Sequence, residues 1–289
     1  MTLKNRTLKK KNNILKINNY AHVGDALFVM IYFYNCKDYI IKHNIHINYY
    51  IRKKYISQIE EFKCCASIHI YDIDLITPFP ILSELEMLIR NDGFINSFHY
   101  FDFFLNYVLL ELNLLKKDVD KTPYNKYLAN FYSNHLSVHT GLPKMKEFSY
   151  TDPDLLHRYK KFTGVYKNNE ILIINSKPRS FQYDLDSNLK EFNGMIRKLS
   201  KNYKLITTAK VKDIPCTLDG NLTLKDIGAI STHVKYIIAI NTGPLIPCLN
   251  TYALKNVKKW YIFDIRTPFN YTNFELNKSF KEILDALEK

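Results

Sequence analysis

The sequence predicts an α/β protein with two parallel β-sheets in two domains, and three observations support this. The chain has 289 residues, which exceeds the usual size of one domain. Short β-rich segments alternate with segments of helical length, as in successive βαβ units. Several strand segments in the second half are uninterrupted apolar runs, which a sheet covered on both faces requires. A polar segment near residue 166 marks the boundary, so the predicted domains are 1–166 and 167–289.

The first domain begins with a β-α-β-α-β pattern. A β-rich run at 14–17 precedes a polar loop, 18–25, and an apolar stretch that predicts a helix at 26–34. The later predicted elements are a strand at 46–50, a helix at 53–62, a strand at 67–71, helices at 83–115 and 125–140, and a short helix that opens at 151–154 and ends at 162. The aromatic residues at 98–104 interrupt the helical pattern and could belong to the core or to an acceptor-binding wall.

The second domain repeats the alternation with more apolar strands. Its predicted strands are 171–175, 203–207, 236–240 and 259–263, and its predicted helices are 188–201, 224–232 and one that follows the loop 241–244. Continuous apolar strands between helices indicate a buried parallel sheet. Residues 279–287 have helical spacing, and we expect that this last helix could pack back on the first domain.

The composition excludes intrinsic disorder, because 46% of the residues are hydrophobic and 14% are aromatic. A formal charge of +13 favours an anionic partner, which could be a nucleic acid, a membrane surface or a nucleotide diphosphate. No nucleic-acid-binding motif is present, so we expect no nucleic-acid partner. A basic run near the amino terminus could be a solvated end or could permit peripheral membrane contact; it contains Lys4, Arg6, Lys9, Lys10 and Lys11. Abundant Lys, Asn, Ile and Tyr would also follow from the AT-rich coding sequence of a microbe or a large DNA virus.

The cysteines and the hydropathy pattern indicate the cellular compartment in which the protein resides. The five cysteines are odd in number and lack metal-ligand spacing, so neither a disulfide framework nor a zinc site is indicated. No signal peptide and no apolar run of transmembrane length is apparent. We therefore expect a cytoplasmic protein with reduced cysteines.

Two loops in the second domain have the residue types of a phosphate site. In the turn Asn241-Thr242-Gly243-Pro244, Thr242 supplies a hydroxyl, Gly243 permits close backbone approach, and Pro244 suits a first helical turn. The loop Ser176 to Ser180 follows an apolar strand and contains Lys177 and Arg179. Ligands bind at the carboxyl ends of parallel strands, so both loops should converge on one diphosphate.

The run from Leu224 to Pro244 resembles the donor-site signature of GT-B glycosyltransferases, especially the heptosyltransferase family, glycosyltransferase family 9. In that family a helix with an acidic residue precedes a strand that ends in an Asp/Asn-Thr-Gly-Pro turn at the nucleotide-sugar diphosphate. The resemblance implies two Rossmann-like domains facing across a cleft, with Asp226 near the ribose or base and Asn241 in place of the commoner Asp. The family's His after the turn is absent, because Leu245, Ile246 and Pro247 follow instead.

The segment His22-Val23-Gly24-Asp25 resembles the Gly-Asp loop of the same family. The resemblance implies that Asp25 is the general base that deprotonates the acceptor hydroxyl, and a carboxylate in the cleft is suited to that task. His22 is an alternative base, and Asp25 could also serve only as a helix-dipole partner. The pair Asp72 and Asp74 matches the Asp-X-Asp metal motif of another glycosyltransferase fold, but we interpret it as a surface or loop feature.

The predicted function is transfer of a sugar from a nucleotide-diphosphate donor to a glycan hydroxyl, with inversion and without a metal or other cofactor. Three alternatives remain open: a polysaccharide pyruvyl transferase, a non-catalytic nucleic-acid-binding module, and a scaffold with a degenerate GT-B fold.

Overall fold

The computed structural model describes residues 13–19, 22–73, 94–96, 133, 136–178, 183–263 and 273–288. Within these ranges, strands form two parallel sheets, one from residues up to 96 and the other from residue 171 onward. The α/β fold class is thereby confirmed. The domain boundary near residue 166 stays a prediction.

The first sheet has the strand order β3-β2-β1-β4, where β1 is Ile14–Asn19, β2 is His46–Ile51, β3 is Ile68–Asp72 and β4 is Phe94–Asn96. All three pairings are parallel, with Ile17 opposite Tyr49 and Ile47 opposite Ile68. The strand β4 corrects the prediction of one continuous helix over 83–115. A glycine directly before a short β-prone segment explains why helical spacing fails there.

Helix α1, Val23–Lys42, crosses from β1 to β2 and is longer than the predicted 26–34. Its start precedes the apolar stretch because the Asp25 carboxylate accepts a hydrogen bond from the His22 N–H at 3.0 Å, which caps the first turn. Its last turns are only partly buried, so an apolar run alone underestimates its length. The predicted helix at 53–62 is instead a 3₁₀ turn, Lys53–Tyr55, followed by the short helix α2, Ile56–Glu60.

The second sheet has the strand order β6-β5-β7-β8-β9, and all its pairings are parallel. These strands are β5, Ile171–Ile174; β6, Leu205–Thr207; β7, Tyr236–Ile240; β8, Lys259–Phe263; and β9, Phe274–Leu276. The side chains of β5 are all buried. The edge strand β9 was not predicted, because its three residues are only partly buried and have no clear periodicity.

Helix α3, Asp154–Lys161, precedes the second sheet, and helices α4, Leu185–Leu199, and α5, Leu224–Ser231, connect its strands. Two further helices are α6, Thr251–Asn256, and α7, Phe280–Leu287. The expectation that the last helix packs on the first domain is corrected. Helix α7 packs against α4, and its Ile283 and Leu287 are buried in the core on that face of the second sheet, with Phe192.

The two sheets are joined by a continuous hydrophobic core that includes Ile17 and Ile47 of the first sheet and Leu172 and Ile237 of the second. The opposite face of the second sheet has its own core, which contains Ile171 and Ile173. Alternate residues of β5 therefore enter different cores, as the strand period of two requires. Among the described helices, none is both long and apolar enough to cross a bilayer.

Candidate active site

The loop before α1 and the turn after β7 meet between the two sheets. A Cβ placed on Gly24 would lie 3.4 Å from the Cα of Gly243, and one placed on Gly243 would lie 2.9 Å from Cγ1 of Val23 and 3.5 Å from the Gly24 nitrogen. A side chain at Gly243 would require Val23 or the turn to shift, whereas one at Gly24 would make an ordinary van der Waals contact. The contact brings the start of α1 in the first sheet's unit directly against the turn of the second.

Asp25 lies one residue beyond this contact and is partly buried. Its Oδ2 accepts the hydrogen bond from the His22 N–H at 3.0 Å. Burial raises the pKa of Asp25 from 3.8 to about 6, although hydrogen bonds from the backbone N–H groups of His22 and Asp25 itself oppose the rise. A carboxylate with this pKa is ionised at neutral pH and is a stronger base than an ordinary aspartate, as a general base requires.

His22, the alternative base, is the N-cap residue of α1 and is exposed to solvent. The same loop therefore presents two proton acceptors of different burial. The environment of Asp25 shifts its pKa upward from the solution value, which favours Asp25 as the general base.

The turn at 241–244 is held by its backbone. The Asn241 N–H donates to the Phe263 carbonyl at 3.1 Å, and the Leu245 N–H donates to the Thr242 carbonyl at 2.9 Å. Between these two bonds, Thr242 and Gly243 are the residues whose N–H groups the turn can offer to a ligand, since Pro244 has none. Among the described residues, the partner of the Thr242 hydroxyl is the Ile240 carbonyl, at a long 3.3 Å.

The turn continues into a six-residue 3₁₀ helix, Gly243–Cys248, so helical structure follows the loop as predicted, with the α-helix α6 starting only at Thr251. Pro247 lies inside the 3₁₀ helix, and its missing N–H prevents the α-helical hydrogen bond to the Gly243 carbonyl. Any anion bound here would depend on the individual N–H groups and the hydroxyl of the turn more than on a helix dipole.

The loop after β5 lies beside the turn at the carboxyl edge of the same sheet, because β5 and β7 are neighbours. Ser176 Oγ is 3.0 Å from Thr208 Oγ1, and the Asn175 side chain bonds the backbone of Thr208 and Ala209. These bonds tie the loop to the end of β6. Lys177 is exposed and forms an ion pair with Asp186, while Arg179 lies outside the described residues.

Asp226, which the resemblance places near the ribose or base, has protein partners, and its role toward a ligand stays a prediction. Its Oδ2 accepts from the N–H of Thr223 at 2.9 Å, a capping box at the start of α5. Its Oδ1 accepts from Arg158 Nη1 at 3.0 Å. Both carboxylate oxygens are thus engaged by the protein. The Thr-X-X-Asp spacing was visible in the sequence and is the signal for this capping role.

Asp226 belongs to a group of charged residues that sequence reasoning missed, which we call the charge cluster. It consists of Glu61, Asp152, Asp154, Arg158, Lys225 and Asp226. These residues come from three distant stretches of the chain, so no local pattern could have found them.

Tyr150 was also missed. It is buried, its hydroxyl donates to the Pro247 carbonyl at 2.8 Å, and its ring lies 5.2 Å from the ring of Tyr34 on α1. Tyr150 therefore connects the first helix with the 3₁₀ helix that follows the turn.

The structure thus brings Val23 and Gly24, which directly precede Asp25, against Gly243 of the turn, and it places Ser176 and Lys177 at the neighbouring strand end. Asp72 ends β3 in the first sheet, and Asp74 lies outside the described residues, as do the aromatic residues at 98–104. In the parts of the chain that are described, no group of three or more His, Cys, Asp or Glu side chains is arranged to hold a metal ion.

No protein-family profile matches the sequence, and no characterised protein matches it at a significant level. Solved structures do match the fold. The E. coli heptosyltransferase WaaC with ADP-2-deoxy-2-fluoro heptose has a TM-score of 0.52 at 9% identity, over 95% of this chain and 99% of that one. The same values hold for WaaC with ADP. The iron-containing dodecameric glycosyltransferase TibC from enterotoxigenic E. coli has a TM-score of 0.50 at 11% identity, over 94% of this chain and 64% of that one. The chain therefore has the GT-B α/β fold of the heptosyltransferase-type glycosyltransferases.

Proposed function

We propose that the protein is a glycosyltransferase that moves a sugar from a nucleoside-diphosphate donor to a hydroxyl group of a glycan acceptor. The observation that carries the proposal is the backbone contact between Gly24 and Gly243. Asp25, whose pKa is raised, follows Gly24 directly in the chain, and the turn that contains Gly243 can offer N–H groups and a hydroxyl to an anion. A sugar transfer needs these two functions at adjacent positions.

In this proposal the donor diphosphate binds at the carboxyl edge of the second sheet. The Thr242 hydroxyl and the N–H groups of Thr242 and Gly243 would hydrogen-bond to its oxygens, with Asn241 and Pro244 shaping the turn. Lys177 would leave its exposed ion pair with Asp186 to neutralise charge, with Ser176 and Arg179 from the same loop. WaaC, which shares the fold, was solved with ADP and with an ADP-linked sugar analogue, so adenosine-diphosphate donors are the first to test.

Asp25 would act as the general base. It accepts the proton of the acceptor hydroxyl as that oxygen attacks the anomeric carbon, and the bond from this carbon to the diphosphate oxygen breaks with its electron pair. Attack on the face opposite the leaving diphosphate inverts the anomeric configuration. Because N–H groups and cations neutralise the leaving group, we expect transfer to persist when divalent metals are chelated.

A panel of nucleotides and nucleotide sugars tests the donor site by thermal unfolding. A true donor at about 100 times its Kd should stabilise the fold by about 2.7 kcal/mol. The variant Thr242→Val should weaken that stabilisation, while Thr163→Val, at an exposed position far along the chain, should not. Indifference to every nucleotide in the panel would contradict the proposal.

Location and partners belong to the same proposal. A nucleotide-sugar donor fits a cytoplasmic protein, and the basic amino-terminal run would allow peripheral contact with an anionic membrane that displays a glycan acceptor. Fractionation of the native protein at low and high salt would test this, since an electrostatic contact is released by salt.

A further inference from the structure

The charge cluster joins three parts of the molecule. Glu61 follows α2 in the first sheet's unit, Asp154 and Arg158 lie on α3 with Asp152 just before it, and Lys225 and Asp226 lie in the first turn of α5, which connects two strands of the second sheet. Four carboxylates and two cations thus meet where the units are in contact.

Lys225 is the most buried cation of the cluster, with a side chain only 8% exposed. Its Nζ lies 3.0 Å from Asp152 Oδ2 and 3.1 Å from Asp154 Oδ2, and it donates to the Glu61 carbonyl at 2.9 Å. Three acceptors match the three protons of an ammonium group, so its hydrogen bonding is complete. Lys225 therefore ties α5 to the segment before α3 and to the end of α2.

The remaining residues of the charge cluster are linked by further hydrogen bonds. Arg158 bonds Asp154 through Nε at 3.0 Å and Asp226 through Nη1 at 3.0 Å, and the Thr223 hydroxyl donates to Glu61 at 2.7 Å. Burial alone would raise the pKa of Asp154, but hydrogen bonds from Lys225 and Arg158 hold it below its usual value. The Tyr34 hydroxyl of α1 donates to Asp152 at 2.8 Å, so the network reaches the helix that carries Asp25 in its first turn.

Helix α5 also packs against the 3₁₀ helix Gly243–Cys248, which continues from the turn at 241–244. A Cβ on Gly228 would lie 3.1 Å from both the Cβ and the carbonyl oxygen of Pro247, so the two helices are in close backbone contact. The buried Asn250 amide donates to Ser231 Oγ at 3.0 Å and to the Pro247 carbonyl at 3.0 Å. A shift of α5 would therefore move the turn.

We propose that the charge cluster, with Lys225 at its centre, is a positioning device that sets where the Asn241–Pro244 turn stands relative to Asp25. The expected effect on catalysis rests on the proposed function, whereas the effect of the cluster on the position of the turn does not. All donor-binding groups lie in the second unit and would move together, whereas the base lies in the first. Loosening the cluster should thus lower kcat and leave donor KM nearly unchanged.

The test uses Lys225→Met, with Lys210→Met as the matched control, because Lys210 forms an ion pair with Asp219 on the surface at 74% exposure. Two readouts are taken: hydrogen exchange of residues 22–28 and 242–248, and kcat with donor KM. For Lys225→Met we expect exchange roughly tenfold faster in both segments and kcat lower by about tenfold to 10²-fold, as misplacement by about 1 Å produces. Donor KM should stay within about twofold, and Lys210→Met should match the wild type.

Lys225→Met also leaves Asp152 buried without its cation, which alone reduces stability. The double variant Lys225→Met with Asp152→Asn removes both charges and should recover thermal stability. If the cluster positions the turn, exchange and kcat stay altered in the double variant; if both return with stability, the role is merely structural and the proposal fails. Hydrogen exchange tests the positioning role even if no donor supports sugar transfer. Failure of the proposed function and failure of the positioning role can therefore be distinguished.

Discussion

The two sides of the Gly24–Gly243 contact differ in chemistry. The side from the first sheet carries an ionisable carboxylate, and burial raises the pKa of Asp25 to about 6. The opposite side, Asn241 to Pro244, has no ionisable side chain and offers backbone groups and one hydroxyl. Under the proposed function, the unit of the first sheet would transfer the proton and the unit of the second sheet would bind the anion. Substitutions on each side should separate these functions.

The largest expected effect is that of Asp25→Asn. The amide keeps the shape and can still accept the His22 hydrogen bond, but it cannot take up a proton, so kcat should fall by about 10³-fold with donor affinity unchanged. Steady-state kinetics and nucleotide titration measure the two quantities. Asp38→Asn, on the exposed side of α1, is the control. A large loss in His22→Gln together with an active Asp25→Asn would move the base to the histidine.

The stability of the protein should depend on pH through the same carboxylate. Because folding raises the pKa of Asp25 from 3.8 to about 6, the folded state binds the proton more tightly, and stability is lost as pH rises through this window. At pH 7, Asp25→Asn should therefore be more stable than the wild type by at most about 3 kcal/mol, and by less where water reaches the carboxylate. Denaturant unfolding at pH 4 and 7 measures the difference, and equal differences at both values would contradict it.

On the opposite side, Gly243→Ala should weaken donor binding. The new methyl group would lie 2.9 Å from Cγ1 of the stiff Val23 side chain, so the turn or the start of α1 must shift, at a cost of about 1–3 kcal/mol. Gly24→Ala is the matched substitution, since its methyl group would meet Gly243 at 3.4 Å and should cost less. Isothermal titration with the donor nucleotide measures both. Equal losses would mean that the contact is looser than the structure indicates.

The smallest expected effect is that of Lys177→Ala. Its ion pair with Asp186 is two-thirds exposed on both sides, so its loss should change the free energy of unfolding by less than about 1 kcal/mol. Donor affinity should fall by about two- to fivefold, more at low salt than at high salt, because an exposed cation is screened. If Lys177→Ala binds the donor as tightly as the wild type at every salt concentration, Lys177 is not part of the donor site.

Sequence periodicity predicted the second sheet best. The strands β7 and β8 begin and end at the predicted residues, because continuous apolar runs between polar loops leave little ambiguity. Elements without such runs were missed or mistaken: β9 is a partly exposed edge, and β4 lies inside a segment with helical spacing. The helix predicted after the loop 241–244 begins as a 3₁₀ helix at 243–248, in which Pro247 lies, and the α-helix α6 follows it.

The candidate site was predicted in part. The turn and the Gly-Asp loop were found because small and polar residues follow apolar strands at both places. The role of Asp226 near the ribose or base was inferred from a resemblance and stays a prediction, and the structure shows that this carboxylate also forms a capping box and an ion pair with Arg158, a residue that is distant in sequence. The residues next to Asp226 in the sequence do not indicate which distant residue contacts its side chain.

Local sequence patterns were enough to predict the alternation of strands and helices, the two parallel sheets and the loops that carry the candidate chemistry, since hydrophobic periodicity and turn residues act over a few positions. Three features became visible in the folded chain: Gly24 contacts Gly243, burial raises the pKa of Asp25, and Lys225 is enclosed by three oxygen acceptors. These features depend on atoms brought together from opposite sheets, and the packing of the shared core sets their distances.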